Sequence, residues 1–210
     1  MTASHDHPDF ARKLFAGECD FVAGADNTEA LPQPSLPEVA FAGRSNAGKS
    51  SLINALTGRN ALARVSNTPG RTRQINFFDL GHALMLADLP GYGYARASKE
   101  MTGQWQRLIF DYLRGRTSLR RVVLLIDARR GVMETDREAM GLLDEAAVSY
   151  VVTLTKIDAL KPAERDEALV RCRAALAKQI AAYPEILTTS SFTKEGLDAL
   201  RAHLAALAAR

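Results

Sequence analysis

Two continuous apolar runs, "RVVLLID" (121–127) and "YVVTLTK" (150–156), constrain the fold of this 210-residue chain more than any other feature. Both are rich in β-branched residues and lack the alternation of a strand with one wet face. Each is therefore expected to be buried on both sides, as in a parallel sheet covered by helices. "EVAFAG" (38–43) and "EILTTSS" (185–191) read as further strands, and "QINFFDL" and "HALMLADL", on either side of Gly81, read as a hairpin. Between them lie stretches with helical spacing. These carry Leu52, Ile53 and Leu56; Trp105, Leu108, Ile109 and Tyr112; residues 134–147; Leu169, Cys172, Leu176 and Ile180; and Leu197, Leu200, Leu204 and Leu207. The Trp105 stripe has the spacing of core packing, not of a base-stacking platform.

Strands alternating with helices predict an α/β fold with a mostly parallel six-stranded sheet, one strand antiparallel, and helices on both faces. Residues 1–36 have little periodicity and end in the proline-containing "LPQPSLPE". They read as a partly disordered N-terminal extension with one short helix at 9–14, leading to a single domain at 37–210. In such sheets ligands bind at the carboxyl ends of the strands.

Charge is unevenly spread. The net charge is +3, but residues 59–130 hold thirteen Lys/Arg against five Asp/Glu, a local +8, which leaves 14 against 19 elsewhere. A basic middle fits a surface that meets polyanions; the alternative is that some of these arginines neutralise a bound phosphate or solvate a loop. Cys19 and Cys172 lie far apart without metal-ligand spacing, so a reduced, cytoplasmic chain is expected. His5 and His7 read as part of a solvated terminus, and no metal is assigned to them. There is no secretory-like apolar core at the N-terminus, no membrane-length apolar run and no lipidation motif in the closing "LAALAAR", so no membrane partner is expected.

The stretch "GRSNAGKSS" (43–51) sits between a predicted strand and a predicted helix. Gly43, Gly48, Lys49 and Ser50 match the phosphate-binding loop pattern. Its glycines let backbone N–H groups curl around a phosphate, the helix N-terminus adds positive potential, Lys49 bridges β- and γ-oxygens, and the Ser50 hydroxyl reaches Mg²⁺. Asp88, Leu89, Pro90 and Gly91 close a strand; a carboxylate followed three residues on by glycine suits a water-mediated Mg²⁺ contact and an N–H aimed at a γ-phosphate. In the intervening loop "NTPGRTRQ" (67–74), Thr68 and Thr72 are both candidates to complete the Mg²⁺ shell. Thr72 is favoured because it sits just before the strand. In "TKID" (155–158), Asp158 can accept two hydrogen bonds from guanine and the stem of Lys156 can cover the base plane; the competing role for Asp158 is to cap the next helix. The turn of Thr189, Ser190 and Ser191 can offer backbone N–H to guanine O6.

Together these elements resemble the translation-factor-related P-loop GTPases. "LPEVAFAGRSNAGKSSLINAL", "SNTPGRTRQINFF", "DLPGYGYA" and "TKID" are similar to the EngB family of bacterial GTP-binding proteins, also called YihA or YsxC, over residues from about 36 to the C-terminus. The resemblance implies the three-layer GTPase fold, GTP or GDP as ligand, slow Mg²⁺-dependent hydrolysis, and a partner in the large ribosomal subunit precursor and its RNA. A need in cell division and septation, and a monomeric state, are also expected. Carried onto this chain, it implies Ser50 and Thr72 as Mg²⁺ ligands. It also implies nucleotide contacts from Gly43, Arg44, Ser45, Asn46, Ala47, Gly48, Lys49 and Ser50; from Gly70, Arg71, Thr72, Arg73 and Gln74; and from Asp88, Leu89, Pro90 and Gly91. On the base side it implies Thr155, Lys156, Ile157 and Asp158, and Thr189, Ser190 and Ser191. Thr155 stands where most GTPases have Asn, so guanine selectivity is expected to rest on Asp158.

Ras-like enzymes place a glutamine after the DxxG glycine to orient the attacking water. Here that residue is Tyr92, which has no amide. Catalysis is therefore expected to rest on Lys49 and on Asn46, an asparagine that in related GTPases resembles a K⁺ ligand; the alternative is that Asn46 only hydrogen-bonds within the loop. Arg114, Arg116, Arg120, Arg121, Arg129 and Arg130 are the candidate contacts to RNA phosphates. A P-loop ATP-dependent small-molecule kinase is the rival reading, and a membrane-associated signalling switch is the rival within the GTPases.

Overall fold

The computed structural model describes residues 7–59, 62–63, 74–92 and 99–208. Strands β1 (Cys19–Ala25), β2 (Glu38–Gly43), β3 (Ile75–Leu80), β4 (Leu84–Asp88), β5 (Leu119–Asp127), β6 (Tyr150–Thr155) and β7 (Ala182–Thr188) form one sheet in the order β1-β3-β4-β2-β5-β6-β7. Strand β3 runs against both its neighbours, and the remaining pairings are parallel. Among the described residues the expected count of six strands is thus corrected to seven. The extra strand, β1, lies at the edge and buries only Cys19 and Ala25 at its two ends, so its apolar pattern is too weak to read from sequence.

Helices cover both faces. On one face α1 (His7–Ala16), α2 (Lys49–Thr57) and α6 (Leu197–Ala205) bury Leu14, Phe15, Leu52, Leu56, Leu200 and Leu204 against Val39, Phe41, Leu86 and Val123. On the other, α3 (Lys99–Gly115), α4 (Glu134–Glu145) and α5 (Pro162–Leu176) bury Tyr112, Met140 and Cys172 against Phe77, Leu124 and Val152. Each fully buried Leu, Val or Phe contributes about 2 kcal/mol of transfer free energy. The runs 122–126 and 150–154 are buried at every position, as their composition requires. The N-terminal segment supplies a helix and an edge strand to this arrangement. Ile180 does not join the α5 stripe: the helix ends at Leu176 and Ile180 is exposed. Among the described residues no helix is long and apolar enough to cross a membrane. Both cysteines are buried, and burial pushes the Cys19 thiol up to about 12 and the Cys172 thiol up to about 11.

Candidate functional site

The parallel register brings four strand ends together. Phe41 of β2 pairs with Asp88 of β4, Gly43 with Leu125 of β5, and Asp127 of β5 with Thr155 of β6, so the turns after these strands share one edge of the sheet.

The turn after β2 leads into α2 through Gly48, whose φ of 96° is a conformation that side chains with a Cβ rarely adopt. The N-cap of α2 is that glycine, which has no side chain to cap the helix. Its first-turn N–H groups therefore remain available to a phosphate, the arrangement that favours anions at a helix N-terminus. Lys49 opens the helix and donates to Asp88, which is buried at the end of β4. Ser50 lies in the same first turn. Hydroxyl and carboxylate oxygens are the donors a hard Mg²⁺ takes, so Ser50 and Asp88 suit that ion beside phosphate oxygens.

Beyond Asp88 the chain stays zipped to the phosphate loop. Leu89 N–H donates to Phe41 C=O at 3.0 Å, Tyr92 N–H to Gly43 C=O at 3.2 Å, and Ser45 N–H to Tyr92 C=O at 3.1 Å. Gly91 passes so close that a Cβ there would meet Ser45 N at 3.1 Å, which explains the glycine of the DxxG pattern by packing as well as by ligand access.

The base-side loop is tied to the phosphate loop by two side chains. Thr155, buried, donates its hydroxyl to Ala47 C=O at 2.7 Å, so the threonine at the usual asparagine position links the two loops. Lys156, in the left-handed region at φ 59°, donates to Asn46 C=O at 2.6 Å and to Asp127 Oδ2 at 2.9 Å. Ile157 and Asp158 lie in a short 3₁₀ turn with Ile157 buried and Asp158 exposed. In the neighbouring loop, Thr189 N–H donates to Leu154 C=O and Ser190 N–H to Glu195 C=O. Both residues are fully buried, so they build the turn and leave Ser191 as the member of the predicted trio able to offer an N–H to a base.

Gly70, Arg71, Thr72, Arg73 and Thr68 lie outside the described residues, as does the side chain of Trp105. Gln74 is exposed at the start of β3 and donates to Asn76 Oδ1 at 2.9 Å.

Sequence reasoning passed over Asp127 and Asp136. Asp127 accepts from Arg129 Nε at 2.9 Å and Nη2 at 2.6 Å as well as from Lys156. Burial alone would raise its pKa; the bonds from Arg129 and Lys156 outweigh it and hold the carboxyl down to about 2. Its signal was the one used for Asp88, a carboxylate closing a buried strand. Asp136, 1% exposed, accepts from the Tyr92 hydroxyl at 2.8 Å and from Met133 N–H at 2.8 Å. A cavity of about 130 Å³ between the phosphate loop and the end of β5 is lined by Arg44, Asn46, Asp127, Arg129, Arg130 and Lys156 among others.

The six arginines expected at an RNA surface divide. Arg114, Arg120, Arg129 and Arg130 are exposed, Arg129 being paired with Asp127. Arg116 is instead sequestered by Glu38, and Arg121 lies over the Tyr183 ring at 4.2 Å and donates to His203 Nε2 at 2.9 Å. These two are consumed by packing because a guanidinium can pair with a buried carboxylate, as Arg116 does, or stack on a ring, as Arg121 does.

Residues 38–156 match a protein family described as 50S ribosome-binding GTPase, and residues 110–209 match the elongation factor Tu GTP binding domain. The chain is 57% identical to the probable GTP-binding protein EngB of Rhodospirillum rubrum over 202 residues, 94% of this chain and 87% of that protein. It is 56% identical to the protein of the same name from Cereibacter sphaeroides over 196 residues, 93% of this chain and 90% of that one. A crystal structure of a probable GTP-binding protein engB superposes with a TM-score of 0.62 at 25% identity, covering 78% of this chain and 94% of that one. Era, in a complex with MgGDPNP and a 16S ribosomal RNA segment, shares the fold at a TM-score of 0.65 and 21% identity, covering 83% and 57% of the two chains. The chain belongs to the EngB family of GTP-binding proteins and carries its GTPase domain.

Proposed function

We propose that this protein is a Mg²⁺-dependent GTPase of low intrinsic rate, a cytoplasmic monomer that acts as a switch in assembly of the large ribosomal subunit and is needed for normal cell division and septation. The observation that carries the reading is the joining of the phosphate loop to the other loops. Lys49 bonds Asp88, Tyr92 bonds Gly43 and Ser45, and Thr155 and Lys156 bond the loop's own carbonyls.

In this reading the N–H groups at the start of α2 cradle the phosphates, and Lys49 turns from Asp88 to the β- and γ-oxygens. Ser50 and Thr72 would hold Mg²⁺, which when bound would neutralise charge on the transferred phosphoryl group. Asp158 accepts from guanine N1–H and its 2-amino group, with the Lys156 stem against the ring. Gly43, Arg44, Ser45, Asn46, Ala47 and Gly48 line the phosphates, Gly70, Arg71, Arg73 and Gln74 close from the switch side, and Asp88, Leu89, Pro90 and Gly91 face the γ-phosphate. Slow hydrolysis follows from Tyr92, which lacks an amide and already donates its hydroxyl to Asp136. Asn46, exposed at φ 67° and with no side-chain hydrogen bond among the described residues, would be the residue to hold K⁺, which would supply part of the missing charge. The ribosomal role draws on the matched family's description as 50S ribosome-binding and on the exposed cations Arg114, Arg120 and Arg130.

Nucleotide competition with GTP and ATP separates this reading from an ATP-dependent kinase. Asp158→Asn is expected to exchange guanine for xanthine preference, and full GTP affinity in that variant would overturn the base assignment. Co-sedimentation with large-subunit precursors should weaken steeply with salt and with charge reversal of Arg114, Arg120 and Arg130. Filamentous cells on depletion would support the division role.

A further inference from the structure

Tyr92 occupies the position after the DxxG glycine, yet its side chain points to α4. Its hydroxyl donates to Asp136 Oδ1 at 2.8 Å, and Asp136 is 1% exposed with its other oxygen accepting from Met133 N–H at the start of that helix. Its main chain bonds the phosphate loop on both sides, to Gly43 C=O and from Ser45 N–H. Gly91 is therefore held between two fixed points: Asp88 at the end of β4 and Tyr92, pinned at backbone and phenol. Burial of the phenol raises its pKa well above the usual tyrosine range, with the Asp136 carboxylate adding to the effect, so the hydroxyl stays protonated and remains a donor.

We propose that Tyr92 is a positioning residue for triphosphate recognition: its bond to Asp136 sets the Gly91 N–H in place for the γ-phosphate before the nucleotide arrives. The phenol replaces a water-orienting side chain with an anchor, so the DxxG turn behaves as part of the sheet. The ordering cost of presenting Gly91 is met during folding and not on binding, the general advantage of preorganisation. GDP has no γ-phosphate to meet Gly91, and the main-chain bonds from Tyr92 to Gly43 and Ser45 do not need the phenol, so GDP is expected to be little affected by its loss. The inference rests on the guanine-nucleotide reading of the site.

The test compares wild type with Tyr92→Phe, which removes one oxygen. Affinities for fluorescent GDP and for a fluorescent non-hydrolysable GTP analogue are measured on the same preparations, so any loss of folded protein cancels in their ratio. The analogue should bind the variant about tenfold more weakly than wild type, with GDP affinity held within about twofold. Amide exchange at Tyr92 should speed by a similar factor while β5 and β6 are unchanged. An unchanged ratio, including equal weakening of both nucleotides, would overturn the proposal and leave the hydroxyl a structural contact. Failure of wild type to bind either guanine nucleotide would instead bring down the site reading beneath it.

Discussion

At the amino end of the sheet, Glu38 is 1% exposed and accepts from Arg116 Nε at 2.9 Å, Ser118 Oγ at 2.8 Å and the Tyr112 hydroxyl at 3.2 Å, while Arg116 Nη1 donates to Pro32 C=O at 2.6 Å. At the carboxyl end, Lys49 and Lys156 also meet carboxylates, but beside backbone in left-handed conformations at Asn46, Gly48 and Lys156. The first arrangement satisfies a buried charge wholly within the protein and keeps α3 and β2 together. The second keeps cations and N–H groups next to strained turns, the places where backbone cost is tolerated for the sake of a ligand. One end satisfies its charges within the protein, and the other sets its ion pairs beside left-handed backbone.

That contrast can be broken at its strongest point. Glu38→Ala strands Arg116 and should cost about 3–5 kcal/mol, as breaking a buried pair does. Urea unfolding measures the loss, and the nucleotide affinity of the folded fraction should stay near wild type. A large change in affinity would mean that the two ends are coupled. Lys49→Ala should do the reverse, removing about 2 kcal/mol or more of binding through lost charged hydrogen bonds to phosphate. Titration with labelled GDP reads this, and retention of tight binding would remove Lys49 from the site.

A subtler probe is pH. Burial and the neighbouring Arg121 guanidinium hold the His203 imidazole down to about 4, so it is neutral in the folded protein. Because this lies below the unfolded value near 6.5, stability is fully present above about pH 6.5 and falls as pH drops toward 4, by about 2 kcal/mol after allowance for partial exposure. His203→Gln should flatten that limb in melting curves; an unchanged slope would place the titration elsewhere. The smallest effect is expected at Asn46. GTPase rates in KCl should exceed those in NaCl by a few-fold, about 1 kcal/mol or less in barrier, and Asn46→Ala should abolish the difference. Equal rates in both salts for both proteins would sink the K⁺ role.

Much of the fold was legible because burial on two faces leaves a compositional mark. The runs at 121–127 and 150–156 and the Gly81 hairpin read correctly for that reason. Strand β1 did not, since an edge strand needs few apolar residues, and Ile180 misled because its spacing continues the α5 stripe past the point where the helix stops. At the site, the places of Gly48, Asp88 and Asp158 at a helix start, a strand end and a short turn were legible, because short patterns have a spacing set by local geometry. Asp136 was not, because its partner is 44 residues away and only the packing of α4 brings the two together. The arginines show the same limit: their charge is visible in sequence, whereas the burial of Arg116 and the stacking of Arg121 depend on distant neighbours.

The sequence by itself determined the α/β class and the family, since each rests on residues close along the chain whose spacing the backbone enforces. Tertiary structure alone decided which charges are spoken for. It paired Glu38 with Arg116, Asp127 with Lys156 and Arg129, and Tyr92 with Asp136. Electrostatic pairing depends on distance and burial in space, and neither can be read from separation along the chain.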